Sequence, residues 1–102
     1  MSLVVHFLDG GTVVEATLKV TARNEFQGRN AARVAFTANQ FACEILLTNG
    51  SRVANAKNVM EVMRLSARAG TQIRIQAAGP DEAVAVATIA AFFGDESLPK
   101  PL

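Results

Sequence analysis

The fold is decided by the stretch Gln72–Glu82, which reads QIRIQAAGPDE. Its first seven residues alternate between polar and apolar, which is the pattern of a strand with one buried face. Gly79 breaks this pattern, and Pro80 with the two acids after it is typical of the first turn of a helix. Residues 83–93 are apolar almost all round, and Gly94 follows them as an end signal. The stretch therefore predicts a strand, a tight turn and a deeply packed helix.

The rest of the chain reads as further strands and helices around this unit. Asp9-Gly10 between two apolar runs predicts a β-hairpin. Helical spacing of small apolar residues over 28–38 predicts a helix that packs closely on a sheet. The other predicted elements are strands over 3–8, 12–21, 41–48 and 51–56, and a short helix over 58–65. This order predicts an α+β fold in which the helices cover one face of an antiparallel sheet.

The length, net charge and cysteine count of the chain limit the classes of partner and the compartment that we expect. A length of 102 residues fits one domain, and the net charge of +1 favours neither nucleic acid nor an acidic membrane surface as a partner. The single cysteine, Cys43, cannot form an internal disulfide; we expect a buried, unreactive thiol in a reducing compartment. The beginning of the chain lacks the features of a signal peptide, and no apolar run reaches the ~18 residues of a membrane span. We therefore expect a cytoplasmic protein.

Three segments of the chain, in order, are similar to segments of one known family. Residues 24–32 read NEFQGRNAA, Asn49-Gly50 is followed by residues 55–65, which read NAKNVMEVMRL, and residues 70–82 contain the stretch that opens the last helix. Together they resemble the HPr family, the phosphocarrier proteins of the bacterial sugar phosphotransferase system. The first segment looks like the family's active-site segment Asn-Gly-Leu-His-Thr-Arg-Pro-Ala-Ala, the second like its turn, its regulatory serine site and its second helix, and the third like its last strand and the start of its last helix.

This resemblance implies an open-faced β-sandwich, in which a four-stranded antiparallel sheet is covered by three helices on one face. The first predicted strand has no counterpart in the family and would be an addition at the N-terminus. The resemblance thus implies an extra strand and turn over 1–12, an HPr-like domain over 13–94 and a C-terminal tail over 95–102.

The position of the family's phosphorylated histidine is occupied by Gln27, and Arg29 matches the family's arginine. A carboxamide nitrogen is not a nucleophile because its lone pair is delocalised into the carbonyl. We therefore expect no catalytic residue and no enzyme activity. Gln27, Gly28 and Arg29 are interpreted as a docking surface or a weak anion site at a helix start. The one histidine of the chain, His6, falls in the extra strand and is interpreted as an ordinary strand residue.

The second phosphorylation site of the family also differs. Asn58 stands at the serine position; asparagine is a good N-cap but has no hydroxyl to phosphorylate. In the family, part of the following short helix contacts partner proteins, which makes Asn58, Val59, Met60 and Met63 candidate binding residues. We expect Met60 to point outward and either Met63 or Leu65 to point inward.

The resemblance and its departures favour a regulatory, protein-binding member of the phosphotransferase network. A regulatory branch of the family also has glutamine at the histidine position, but that branch keeps the serine. The implied partners are proteins of the network or a transcriptional regulator, and a homodimer is left open. No cofactor and no metal are expected. The alternatives are phosphotransfer through an atypical residue, or binding of an anion or small molecule.

Overall fold

A computed structural model describes residues 3–8 and 11–93 of the chain. The strands are β1 (Leu3–Leu8), β2 (Gly11–Lys19), β3 (Glu44–Asn49), β4 (Arg52–Asn55) and β5 (Gln72–Ala78). The α-helices are α1 (Gly28–Ala38), α2 (Val59–Arg64) and α3 (Glu82–Phe93), and a short 3₁₀ helix spans Ala22–Asn24. Apart from that 3₁₀ turn, the element order is the predicted one.

The strands form one antiparallel sheet in the order β1-β2-β5-β3-β4. Ala77 in the middle strand is paired with Val14 on one side and with Ile45 on the other. Directly paired residues share a face, and all three side chains are buried. Four strands thus form the predicted sheet, and β1 extends it beyond β2, as expected for the additional N-terminal strand.

The core lies between this sheet and the three helices. Ala31, Val34, Ala35 and Ala38 form the buried stripe of α1, as its spacing predicts. α3 lies across β2 and β5, while α1 packs beside both α2 and α3. The small residues of α1 let the helix approach its neighbours closely, and larger side chains fill the centre; the largest fully buried ones include Phe26, Phe93, Ile45, Leu47 and Ile75.

β3 begins at Glu44, so the prediction of a strand from residue 41 is wrong by three residues. The backbone N–H groups of Ala42 and Cys43 donate to the carboxylate of Asp81, at 2.9 Å each, instead of to a neighbouring strand. α3 begins at Glu82, directly after Asp81, so Pro80 lies in the turn before the helix and not in its first turn. Through its carboxylate, Asp81 connects the start of α3 to the loop before β3.

α3 is less deeply packed than its composition predicts. Val84 and Phe92 are 61% and 56% exposed, because the helix is an outer layer that contacts the sheet with only one side. The buried side consists of Ala85, Val86, Ile89, Ala90 and Phe93. The predicted hairpin turn at 9–10, the helix end at Gly94, the tail over 95–102 and the side chain of His6 lie outside the described residues.

Candidate functional site

α1 and α2 run antiparallel and are joined by hydrogen bonds at both ends. Just before α1, the backbone N–H of Phe26 donates to the carbonyl of Ala67, which follows α2 (2.9 Å). At the other end of α1, Asn39 Nδ2 donates to the carbonyl of Lys57, which precedes α2 (2.9 Å). The two helices consequently lie side by side, and we call their outward sides together the helix-pair surface. Its exposed side chains are Gln27, Arg29, Arg33, Phe36, Met60, Met63 and Arg64.

Gln27 is the N-cap of α1. Its backbone is extended, and its side chain makes no capping hydrogen bond. The backbone N–H groups of Gly28 and Arg29 have no hydrogen-bond acceptor among residues 3–8 and 11–93. Gly28 has a φ of +52°, in the left-handed region that favours glycine. The start of α1 therefore presents free N–H donors beside an exposed amide and an arginine.

Asn58 is the N-cap of α2, as its residue type predicts. Its side-chain oxygen accepts hydrogen bonds from the backbone N–H groups of Met60 (3.0 Å) and Glu61 (3.2 Å). The Glu61 carboxylate accepts a further bond from the N–H of Asn55 (3.0 Å). Asn58 thus holds the first turn of α2 in place, and it offers no hydroxyl.

The apolar side chains of α2 divide between core and surface. Met60 and Met63 are 57% and 42% exposed, whereas Leu65 is buried. The prediction that Met60 points outward and one of Met63 and Leu65 inward is confirmed, with Leu65 as the inward residue. Val59 is half-buried and packs against the core, so it adds less to the surface than the methionines.

Phe36 belongs to this surface but was missed by the sequence reasoning. It is 70% exposed on the outer side of α1. With Arg29, Ala32 and Arg33 it lines a shallow cavity of about 280 Å³. The spacing of these residues was a usable signal, since they recur at helical intervals on the side opposite the buried stripe. An aromatic residue on that polar side is not a core residue, so Phe36 is added to the candidate contact residues.

A larger open cavity of about 480 Å³ lies between α2 and β4. It is lined by Arg52, Val53, Asn58, Met60, Glu61, Arg64 and Leu65. Of the three residues predicted at the start of α1, Arg29 lines the cavity at Phe36, and Gln27 and Gly28 are exposed.

The thiol of Cys43 and the imidazole of His6 do not belong to the helix-pair surface. Cys43 is buried, and burial, followed by its hydrogen bond with Asp81, raises the pKa of its thiol to about 11. The prediction that Cys43 is buried is confirmed, and a raised pKa favours the neutral thiol near neutral pH. His6 is paired with Val13, roughly 20 Å along β2 from the end that leads to α1.

The part of the chain that the structure describes contains no group of three potential metal ligands, and none of its helices could span a membrane.

The chain matches a family model described as the PTS HPr component phosphorylation site, over residues 14–95. It is 31% identical over 84 residues to the HPr-like protein Crh of Bacillus subtilis, which covers 82% of this chain and 99% of that protein. The crystal structure of phosphocarrier protein HPr from Bacillus anthracis superposes with a TM-score of 0.76 at 31% identity, over 79% of this chain and 96% of the other.

The crystal structure of Crh from Bacillus subtilis, described as an intertwined dimer with a swapped domain, matches with a TM-score of 0.61 at 33% identity, over 74% of this chain and 82% of that one. These matches confirm the predicted fold of a four-stranded antiparallel sheet under three helices. Because the members of this family are phosphocarrier proteins, the prediction that the chain is not an enzyme also holds. The shared sequence and fold establish that the chain belongs to the HPr family of the sugar phosphotransferase system.

Proposed function

We propose that this chain is a regulatory member of the HPr family that binds partner proteins through the helix-pair surface without being phosphorylated. The observation that carries the proposal is the N-cap of α1, where the family resemblance implies a histidine and this chain has Gln27. An imidazole nitrogen can accept a phosphoryl group near neutral pH, whereas an amide nitrogen cannot. In this proposal the start of α1 serves for docking and does not accept a phosphoryl group.

The carboxylate, the thiol and the imidazole considered as substitutes for the missing histidine are engaged or placed elsewhere. The nearest carboxylate in sequence, Glu25, accepts a hydrogen bond from the backbone N–H of Ala69 at 2.7 Å. That bond ties the loop before α1 to the loop after α2 and directs the carboxylate there. Cys43 is buried, and the backbone of His6 lies toward the far end of β2. These positions argue against phosphotransfer through an atypical residue.

The proposal extends to the second phosphorylation site. Asn58 lacks a hydroxyl, and its amide is neutral, so it neither receives nor imitates a phosphoserine. Its oxygen caps α2 instead. We therefore propose that partner binding is independent of a serine kinase, in contrast to the regulation that the resemblance implies for many relatives.

Met60, Met63 and Phe36 are exposed apolar residues of the helix-pair surface; Arg29 and Arg33 line a cavity with Phe36, and Arg64 lines another with Met60. Exposed methionines adapt their shape to different partners, and arginines at the edge favour an acidic partner. We propose that the partners are cytosolic proteins of the phosphotransferase network or a transcriptional regulator. A homodimer remains part of the proposal, since Crh of Bacillus subtilis forms one in a crystal.

The experiment is a quantitative pull-down from the native cytosol with matched variants. Met60→Ala and Arg29→Ala remove exposed groups of the helix-pair surface. Leu46→Ala and Arg74→Ala remove similar exposed groups from the uncovered face of the sheet. A hot-spot residue of an interface contributes more than ~1 kcal/mol, so we expect roughly fivefold weaker recovery for Met60→Ala and a smaller, salt-dependent loss for Arg29→Ala at the edge. Equal recovery of the same partners by all four variants would contradict the proposed surface.

A second candidate function is anion binding, which the free N–H groups of Gly28 and Arg29 favour. Titration with inorganic phosphate, followed by the amide resonances of these two residues, tests it. Saturable shifts confined to the start of α1 would support an anion site. Shifts of the same size in residues of β4 would indicate only general ionic effects.

A further inference from the structure

The two edge strands of the sheet, β1 and β4, differ in how their outer edges are protected. β4 has only four residues and begins with Arg52. α2 packs beside it: the Glu61 carboxylate accepts a hydrogen bond from the backbone N–H of Asn55 (3.0 Å), and Arg52 Nη1 donates to the carbonyl of Arg64 (3.2 Å). Short length, a charge and a neighbouring helix each hinder the pairing of an edge with another strand. The edge at β4 is therefore protected.

The edge at β1 is longer and less protected. Its six residues, LVVHFL, include no proline, lysine, arginine, aspartate or glutamate. All six are paired with β2 on one side, from Leu3 with Ala16 to Leu8 with Gly11. On the other side, no strand among residues 3–8 and 11–93 pairs with β1. Half of the backbone N–H and C=O groups of β1 therefore point away from the sheet, where another strand can pair with them.

Val5, in the middle of β1, shows that the apolar face of the sheet continues past the helix layer. It is paired with Val14 of β2, so the two residues share the face that the helices cover. α3 packs on β2 and β5, and Val14 is only 3% exposed, whereas Val5 is 50% exposed. A further strand beside β1 would remove apolar surface of Val5 from water, which favours its addition.

We propose that the outer edge of β1 pairs antiparallel with β1 of a second copy of this chain, about a two-fold axis perpendicular to the sheet. Such an axis keeps the helices of both copies on the same side, so the residue at the axis lies opposite itself. With the axis at Val5, residues 3–7 of the two copies are paired and Val5 contacts Val5 of the second copy. An axis at His6 would place two imidazoles opposite each other, which is unfavourable whenever they are protonated.

A second copy fits this edge because the strand brings no acidic or basic group of like charge against itself, and one two-fold contact satisfies both edges. The protected edge at β4 prevents further addition, so assembly ends at the dimer. A single strand pair is small beside the ~800 Å² per partner of a standard interface, so we expect a weak, concentration-dependent dimer. This assigns an interface to the homodimer of the proposed function, yet it depends on the sheet edge and not on the helix-pair surface.

Sedimentation velocity of the full chain, from micromolar to millimolar concentration, measures the association. The parent chain should shift from the monomer mass to the dimer mass and stop there. Val5→Lys places two lysines opposite each other and should weaken the association roughly tenfold. The matched control is Val53→Lys, which makes the same change at a similarly exposed valine (59%) of β4 and should leave the association unchanged.

A charge-pairing experiment separates lost pairing between copies from damage to β1 itself. Val5→Glu alone should associate as weakly as Val5→Lys alone, whereas an equal mixture of the two should form a heterodimer because opposite charges then meet at the axis. A parent chain that stays monomeric, assemblies larger than a dimer, equal weakening by Val53→Lys, or a mixture that stays monomeric would each overturn the proposed pairing. Because no partner protein takes part, none of these outcomes decides whether the helix-pair surface binds partners.

Discussion

Asp81 Oδ1 accepts a hydrogen bond from the backbone N–H of Cys43 at 2.9 Å, and its Oδ2 accepts one from Ala42 at the same distance. One carboxylate thus ties the loop before β3 to the start of α3. The hydrogen bond from Ala42, which contributes most, and those from Cys43 lower the pKa of Asp81 because they stabilise its charged form. The two residues are far apart in the sequence, since 38 positions separate Asp81 from Cys43.

The first prediction concerns acid stability. Because the pKa of Asp81 is lower in the folded than in the unfolded chain, its contribution is fully present above the unfolded value of about 3.9 and is lost as the pH falls through the folded value. Asp81→Asn should therefore destabilise the protein at neutral pH and converge with the parent chain in strong acid. Denaturant unfolding of both chains across this range measures the difference. A difference that is the same in strong acid as at neutral pH would contradict the role given to the carboxylate.

The second prediction concerns the thiol of Cys43. Burial raises its pKa to about 11, so the thiolate is scarce in the folded protein near neutral pH. We expect a thiol reagent to label Cys43 only as fast as the protein opens. The labelling rate should rise with denaturant in parallel with the unfolded fraction. Rapid, stoichiometric labelling of the folded chain would show that the thiol is accessible.

The third prediction compares two glycines with positive φ. An added Cβ at Gly28 (φ +52°) meets nothing within 4 Å, so Gly28→Ala should cost only the left-handed backbone penalty of about 1 kcal/mol. At Gly79 (φ +142°) the Cβ would lie 2.7 Å from Cys43 Cα, which is backbone and cannot rotate away. Gly79→Ala should therefore lower the free energy of unfolding by clearly more than Gly28→Ala. The reverse order would be inconsistent with the close approach of these two segments.

The fourth prediction concerns the cap of α2. Asn58→Ala removes the acceptor of two backbone N–H groups and should cost about 1 kcal/mol of the free energy of unfolding. Asn58→Ser is the matched control, because a serine hydroxyl can accept the same bonds and should recover most of that loss. Equal destabilisation by both variants would mean that the cap contributes little.

The sequence predicted the strands and helices well because their signals are local. The alternation of β2 and β5 and the small-residue stripe of α1 each depend on neighbouring positions. The start of β3 was missed because Ala42 and Cys43 are bound by Asp81, which is far away in sequence. A carboxylate that acts across such a distance leaves no mark in the local pattern.

The candidate site was predicted only in part, for a related reason. The residue types at Gln27 and Asn58 already indicate what those positions cannot do. The joint surface of α1 and α2 depends on how the helices pack, and so does the exposure of Phe36. The proximity of Phe93 to Arg33 follows from tertiary packing of α3 on α1, which no spacing along the chain reveals.

The central claim is that no phosphoryl group is accepted at the start of α1. Its most direct test is intact-protein mass spectrometry after incubation with phosphoenolpyruvate and enzyme I, with a histidine-containing relative as the positive control for the reaction. The account predicts that the relative gains the mass of one phosphoryl group and that this chain keeps its mass. A phosphoryl group found on this chain and passed on to a sugar permease component would contradict it.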